Sequence, residues 1–105
     1  MDEALNILEL GDREGIIITP IKYEIFEYTI HPKYMQGQPK KIKILRIWVP
    51  KQEQLFGPGY WDITSQTLIA TLLPILKEKK LGTFKVKIVA LGVAPAKRFS
   101  VSIIE

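Results

Sequence analysis

Residues Lys41-Ile-Lys-Ile-Leu-Arg-Ile-Trp-Val49 combine the two kinds of group that a single-stranded nucleic acid takes from a protein. Phosphates need cations, and an unstacked base needs a flat apolar partner. Ile42 and Ile44 alternate with Lys41 and Lys43. The alternation then slips by one residue and resumes, with Leu45, Ile47 and Val49 against Arg46 and Trp48. A single β-bulge at Ile44–Leu45 would bring Lys41, Lys43, Arg46 and Trp48 onto one outward face of a strand. The competing reading puts Trp48 in the core and leaves the lysines as a solvated face, since tryptophan is usually well buried.

Strand alternation elsewhere extends this surface. Lys85 and Lys87 face outward together, as do Arg98, Ser100 and Ser102. Phe26 and Tyr28 share a side with Lys22 and Glu24. Loops add Lys33, Tyr34, Lys51, Phe56, Tyr60, Trp61 and Lys97. Trp61, beside Gly59, also reads as a lid over the end of the core. Tyr23, Phe84 and Phe99 lie on apolar faces and read as core residues. Glu24 and Glu27 count against a uniformly basic groove.

Catalytic chemistry finds little support. The single histidine, His31, precedes Pro32 in a loop, without an orienting partner in sight. Asp62 reads as a turn or cap residue. Glu24 and Glu27 fall on opposite faces of a strand and cannot work as a carboxylate pair there. Gly57-Pro-Gly59 lacks the Lys-Ser/Thr of a phosphate-binding P-loop. No His/Cys/carboxylate cluster has metal-ligand spacing, so neither metal nor cofactor is expected.

The elements that position these residues follow from composition and periodicity. At 105 residues, 47% hydrophobic and 25% charged, the chain reads as one globular domain over 1–105. It has no cysteine, no apolar run of membrane-spanning length and no basic leader at its start. A cytoplasmic protein is expected, and the Ile- and Lys-rich, Cys-free composition is compatible with a thermophilic source. The net charge of +4 is unevenly spread: residues 1–30 hold 2 basic and 7 acidic residues, residues 31–105 hold 13 basic and 4 acidic. The later part would attract a polyanion unless the acidic part neutralises it in the fold.

Residues 1–14 are acidic and apolar and fit an N-terminal arm or a short helix. Such an arm is able to mediate a homodimer, dock a partner or fold over the basic face. Residues 15–30 form a long β region that Pro20 bends or places at an edge. Residues 31–40 are a loop. A strand over 41–49 follows, then a turn at Gly57-Pro-Gly59 and a short strand through Tyr60–Ile63. Leu68, Leu72, Ile75 and Leu76 recur at helical spacing, with Asp62, Thr64 or Ser65 as the cap, Gly82 as the stop and Pro74 as a kink or break. Strands around Phe84–Ala90 and Arg98–Ile103 close the chain as a hairpin.

The resulting order is β-β-β-α-β-β: mainly β with one helix. It predicts an OB-like five-stranded barrel over 15–105, or alternatively an open antiparallel α+β sheet with one helix packed on it. In this element order and in the basic–aromatic strand Lys41–Val49, residues 15–105 resemble small OB-fold proteins that bind single-stranded nucleic acid, including those of viruses and plasmids. The resemblance carries no family motif and assigns no residue. It implies non-enzymatic binding of single-stranded DNA or RNA, DNA first, with little sequence preference. The alternative is a protein-interaction or homodimerisation module.

Overall fold

The computed structural model describes residues 4–30, 38–93 and 96–105. Among them the order is β1 (Gly15–Ile18), β2 (Lys22–Ile30), β3 (Lys40–Trp48), β4 (Tyr60–Ile63), α1 (Gln66–Glu78), β5 (Lys85–Leu91) and β6 (Arg98–Ile104). The single helix and the β-rich remainder match the sequence expectation. The five-stranded barrel does not: the described strands form two separate antiparallel sheets, ordered β1-β5-β6 and β2-β3-β4.

The difference begins at Pro20. The expected long first strand is two strands, one in each sheet. Pro20 has no N–H to continue a ladder, and the backbone on either side is held by other partners. Thr19 N donates to the Glu53 carboxylate at 2.8 Å, Gly82 N donates to the Pro20 carbonyl at 2.8 Å, and Ile21 N donates to the Trp48 carbonyl at 3.0 Å. The chain therefore leaves β5 after Ile18 and joins β3 at Lys22.

Each sheet gives one face to a common core. Leu45, Ile47 and Ile63 come from the β2-β3-β4 sheet, and Ile18, Val86, Ile88 and Ala90 from the β1-β5-β6 sheet. Leu68, Ile69, Leu72 and Leu76 of α1 complete it. Ser65 is the helix cap, its hydroxyl accepting from Leu68 N at 3.3 Å. Pro74 neither splits nor ends the helix, which runs on to Glu78. It removes one donor to the Ala70 carbonyl, and both residues are exposed. Pro74→Ala should therefore raise stability by about 2 kcal/mol, the helical cost of proline less the entropy it removes from the unfolded chain, read as a higher denaturation midpoint.

The expected bulge at Ile44–Leu45 is absent. The β2–β3 ladder runs one-for-one from Lys22↔Trp48 to Ile30↔Lys40, and β3–β4 from Leu45↔Ile63 to Trp48↔Tyr60. Ile44 through Ile47 are four consecutive buried residues in the central strand of a sheet. The adjacent apolar pair thus marks burial on both faces, not a slip of register.

The N-terminal segment is an extended arm, not a helix. Ile7 bridges Asp62 in parallel, Leu8 N donates to the Asp62 carbonyl at 2.9 Å, and Asp62 N donates to the Asn6 carbonyl at 2.8 Å. The arm so covers the outer edge of β4. At the other terminus Lys79 pairs with Glu105, and its hydrogen bond first and its charge second hold the Glu105 carboxyl below the ordinary carboxylate range.

Candidate nucleic-acid interface

The unbroken register decides which side chains meet. Residues of the same parity share a face. Lys22, Glu24, Phe26, Tyr28 and Ile30 of β2 therefore stand beside Trp48, Arg46, Ile44, Ile42 and Lys40 of β3, on the side away from the core. Lys41 and Lys43 fall on the opposite side with Leu45 and Ile47. The four residues expected to form one surface are divided between two faces. Lys41 and Lys43 stay exposed because the outer half of the hairpin extends past the core.

Arg46 is on the outward face but does not present its charge to solvent. It is 8% exposed and grips Asp62, itself 0% exposed, through Nε to Oδ1 at 2.7 Å and Nη2 to Oδ2 at 3.0 Å. Asn6 N adds a third donor to Asp62 Oδ2 at 2.9 Å. The guanidinium carbon lies 4.1 Å from the Tyr60 ring centroid, 5.0 Å from Phe26 and 6.0 Å from Trp48. This is a paired, ring-covered cation, with Arg chosen over Lys by its planar fork and its affinity for aromatic faces. Asp62 is its acceptor rather than the turn or cap residue that the sequence suggests.

The aromatics differ in what they offer. Tyr28 is 43% exposed, and Phe26 and Trp48 are half-buried. Lys22 Nζ sits 4.5 Å over the Trp48 ring, and Trp48 contacts Tyr60 at 6.0 Å between centroids. Tyr60 is buried with its hydroxyl donated to the Ala4 carbonyl, and Trp61 packs against the core from the other face. Both Tyr60 and Trp61 are therefore structural. Phe84 is buried, and Tyr23 and Phe99 lie against the core as expected.

Phe56 stands in the open, as the loop reading has it. It is 102% exposed, next to Leu55 at 64%, in the β3–β4 connection that starts beside Trp48. The turn behind it is firmly built. Gln54 Oε1 accepts from Gly59 N and Tyr60 N, and Gln54 Nε2 donates to the Tyr60 carbonyl at 2.9 Å. Gly59 adopts φ 91°, which a side chain would resist. The sequence signal for Phe56 was its place between a polar stretch and Gly-Pro-Gly, with no periodic apolar neighbour to pair with.

Lys85, Lys87 and Arg98 are exposed on the outward face of β5–β6, together with Ser100 and Ser102. No Asp or Glu occurs within β1, β5 or β6. This basic face belongs to the other sheet and does not join the aromatic row. His31, Lys33 and Tyr34 lie outside the described residues. Two acids of the arm accept from backbone amides: Glu14 from nearby Gly11 N and Asp12 from distant Gly92 N, both at 2.7 Å.

A cavity of about 730 Å³ separates the arm from α1 and β6, with Glu9, Glu14, Thr64, Ser65 and Lys97 as its polar lining. Ser65 is committed to the helix cap and Glu14 to Gly11. Among the described residues no three His, Cys, Asp or Glu side chains gather as a metal site, and no helix is long and apolar enough to cross a membrane. Comparison of the chain with protein-family models, curated proteins and solved structures found no match.

Proposed function

We propose that this chain binds single-stranded nucleic acid without catalysis and with little sequence preference, through the outward face of β2–β3. The observation that carries this reading is the register. It aligns Trp48, Phe26 and Tyr28 along the outward face, with Lys22 at one end and Lys40 at the other. Bases stack on the rings, each contact contributing about 1–3 kcal/mol whatever the base. Lys22, Lys40 and, in the adjoining connection, Lys51 supply phosphate contacts, and Phe56 extends the row of rings. Arg46 takes no phosphate in this reading. It stiffens the platform from beneath. Lys85, Lys87 and Arg98 form a second basic surface for a strand long enough to reach it.

Fluorescence anisotropy with a labelled single-stranded oligonucleotide tests the proposal. Affinity should fall with salt, with a slope of about −0.7 per neutralised phosphate. Tyr28→Ala should weaken binding by roughly five- to a hundred-fold, the loss of one stacking contact. Tryptophan fluorescence should be quenched on binding, and the quench should vanish in Trp48→Ala. Lack of affinity for both single- and double-stranded probes at low salt would sink the proposal. Binding lost in Lys85→Ala with Lys87→Ala but untouched in Tyr28→Ala would move the interface to the other sheet and make it a reader of phosphates alone.

A further inference from the structure

We infer that β6 is a self-complementary edge through which two copies of this chain pair, joining their β1-β5-β6 sheets into one antiparallel sheet. β6 is the last strand of its sheet and pairs only with β5 among the described residues. Long edge strands are ordinarily protected by charges, prolines or bulges. Nine-residue β2 carries Lys22, Glu24 and Glu27, and β1 is only four residues long. β6, Arg-Phe-Ser-Val-Ser-Ile-Ile, has seven residues with one charge, at its first position, and no proline.

The core is also unfinished along this strand. The inward residues of β5 (Val86, Ile88 and Ala90) are fully buried, whereas Phe99 and Val101 of β6 are half-buried and Ile103 is 39% exposed. A groove of about 250 Å³ runs between α1 and the start of β6.

A two-fold axis at Val101 fits these residues to themselves. Phe99 then opposes Ile103 of the second copy, and Val101 opposes Val101, which covers the incompletely buried row. Ser100 opposes Ser102, a hydroxyl pair favoured across strands, and Arg98 opposes Ile104, so no like charges meet. Such a pairing joins positions of equal parity. The amides and carbonyls that point away from β5 in one copy therefore meet those of the other. Isologous pairing of this kind closes after two copies. The outward faces become continuous, so Lys85, Lys87 and Arg98 appear twice on one surface.

Sedimentation analysis of the full chain tests the inference. The wild type should sediment as a reversible dimer. Ser100→Lys combined with Ser102→Lys places two like-charged pairs across the axis and should raise the dimer dissociation constant by about tenfold or more. Ser100→Glu combined with Ser102→Lys places two opposite-charged pairs there and should restore the dimer. Both variants carry Ser102→Lys opposite Lys87 of the same chain, so their thermal unfolding when dilute should match each other, and only the dimer should tell them apart. A wild type that stays monomeric at millimolar concentration overturns the inference. So does a dimer that responds equally to both charge patterns or to neither. Oligonucleotide binding by a chain that remains monomeric would leave the proposed function standing while removing this interface.

Discussion

Asp62→Ala should destabilise the domain by about 3–5 kcal/mol, a large share of the stability of an ordinary small domain. The substitution leaves Arg46 at 8% exposure beneath three rings, without the carboxylate that accepts from its Nε and Nη2. Asn6 N loses its acceptor at the same time, which loosens the arm. A buried cation that loses the carboxylate gripping it keeps its desolvation penalty and loses a large part of the compensation. Replacing both members, Arg46→Met with Asp62→Leu, should cost much less than the two single changes together. A denaturant series on the four proteins of the cycle measures this coupling. Near-additive costs would mean that the pair is held by its surroundings rather than by its charges.

Leu72→Ala is expected to cost about 2–5 kcal/mol by a different mechanism. Leu72 is 0% exposed in the middle of α1, in the core that the helix shares with both sheets. Truncation removes apolar contacts and leaves a void bounded by three rigid elements, which limits collapse around it. The denaturation midpoint should fall at unchanged slope, and oligonucleotide affinity under folding conditions should stay near wild type, because the outward face of β2–β3 is not touched. Comparable losses of affinity in Leu72→Ala and Tyr28→Ala would mean that binding reports stability rather than stacking.

The helix was legible from its apolar spacing and its serine cap, and β4, β5 and β6 from alternation within a residue or two at their ends. The barrel was not what the string specified. A bent strand and a broken strand give the same residues around Pro20, and what distinguishes them is the set of distant groups, Glu53, Gly82 and Trp48, that hold the two sides. The slip at Ile44–Leu45 failed for a related reason. Alternation shows a side only where one face is wet, and the middle of β3 is dry on both. Arg46 and Asp62 were each visible as charges, but sixteen positions separate them and no local pattern links them across β3 and β4. Tyr60 was grouped with Phe56 as an exposed aromatic because neither carries a periodic signal, so burial there is set by what folds over them. For Tyr60 that is the arm.

The arm also constrains the order in which the chain assembles. Tyr60 reaches Ala4 across 56 positions, and Gly92 reaches Asp12 across 80, whereas β2 and β3 are joined by a short connection. Closing long loops costs entropy before the contacts they permit are made. The β2–β3 hairpin can therefore form early, but Asp62 gains its third donor and β1 its partner strand only when the ends of the sequence arrive. On a ribosome, a nascent chain that has not yet released β5 holds β1 unpaired and exposes Ile16 and Ile18, so folding of this domain must wait for nearly the whole chain to emerge.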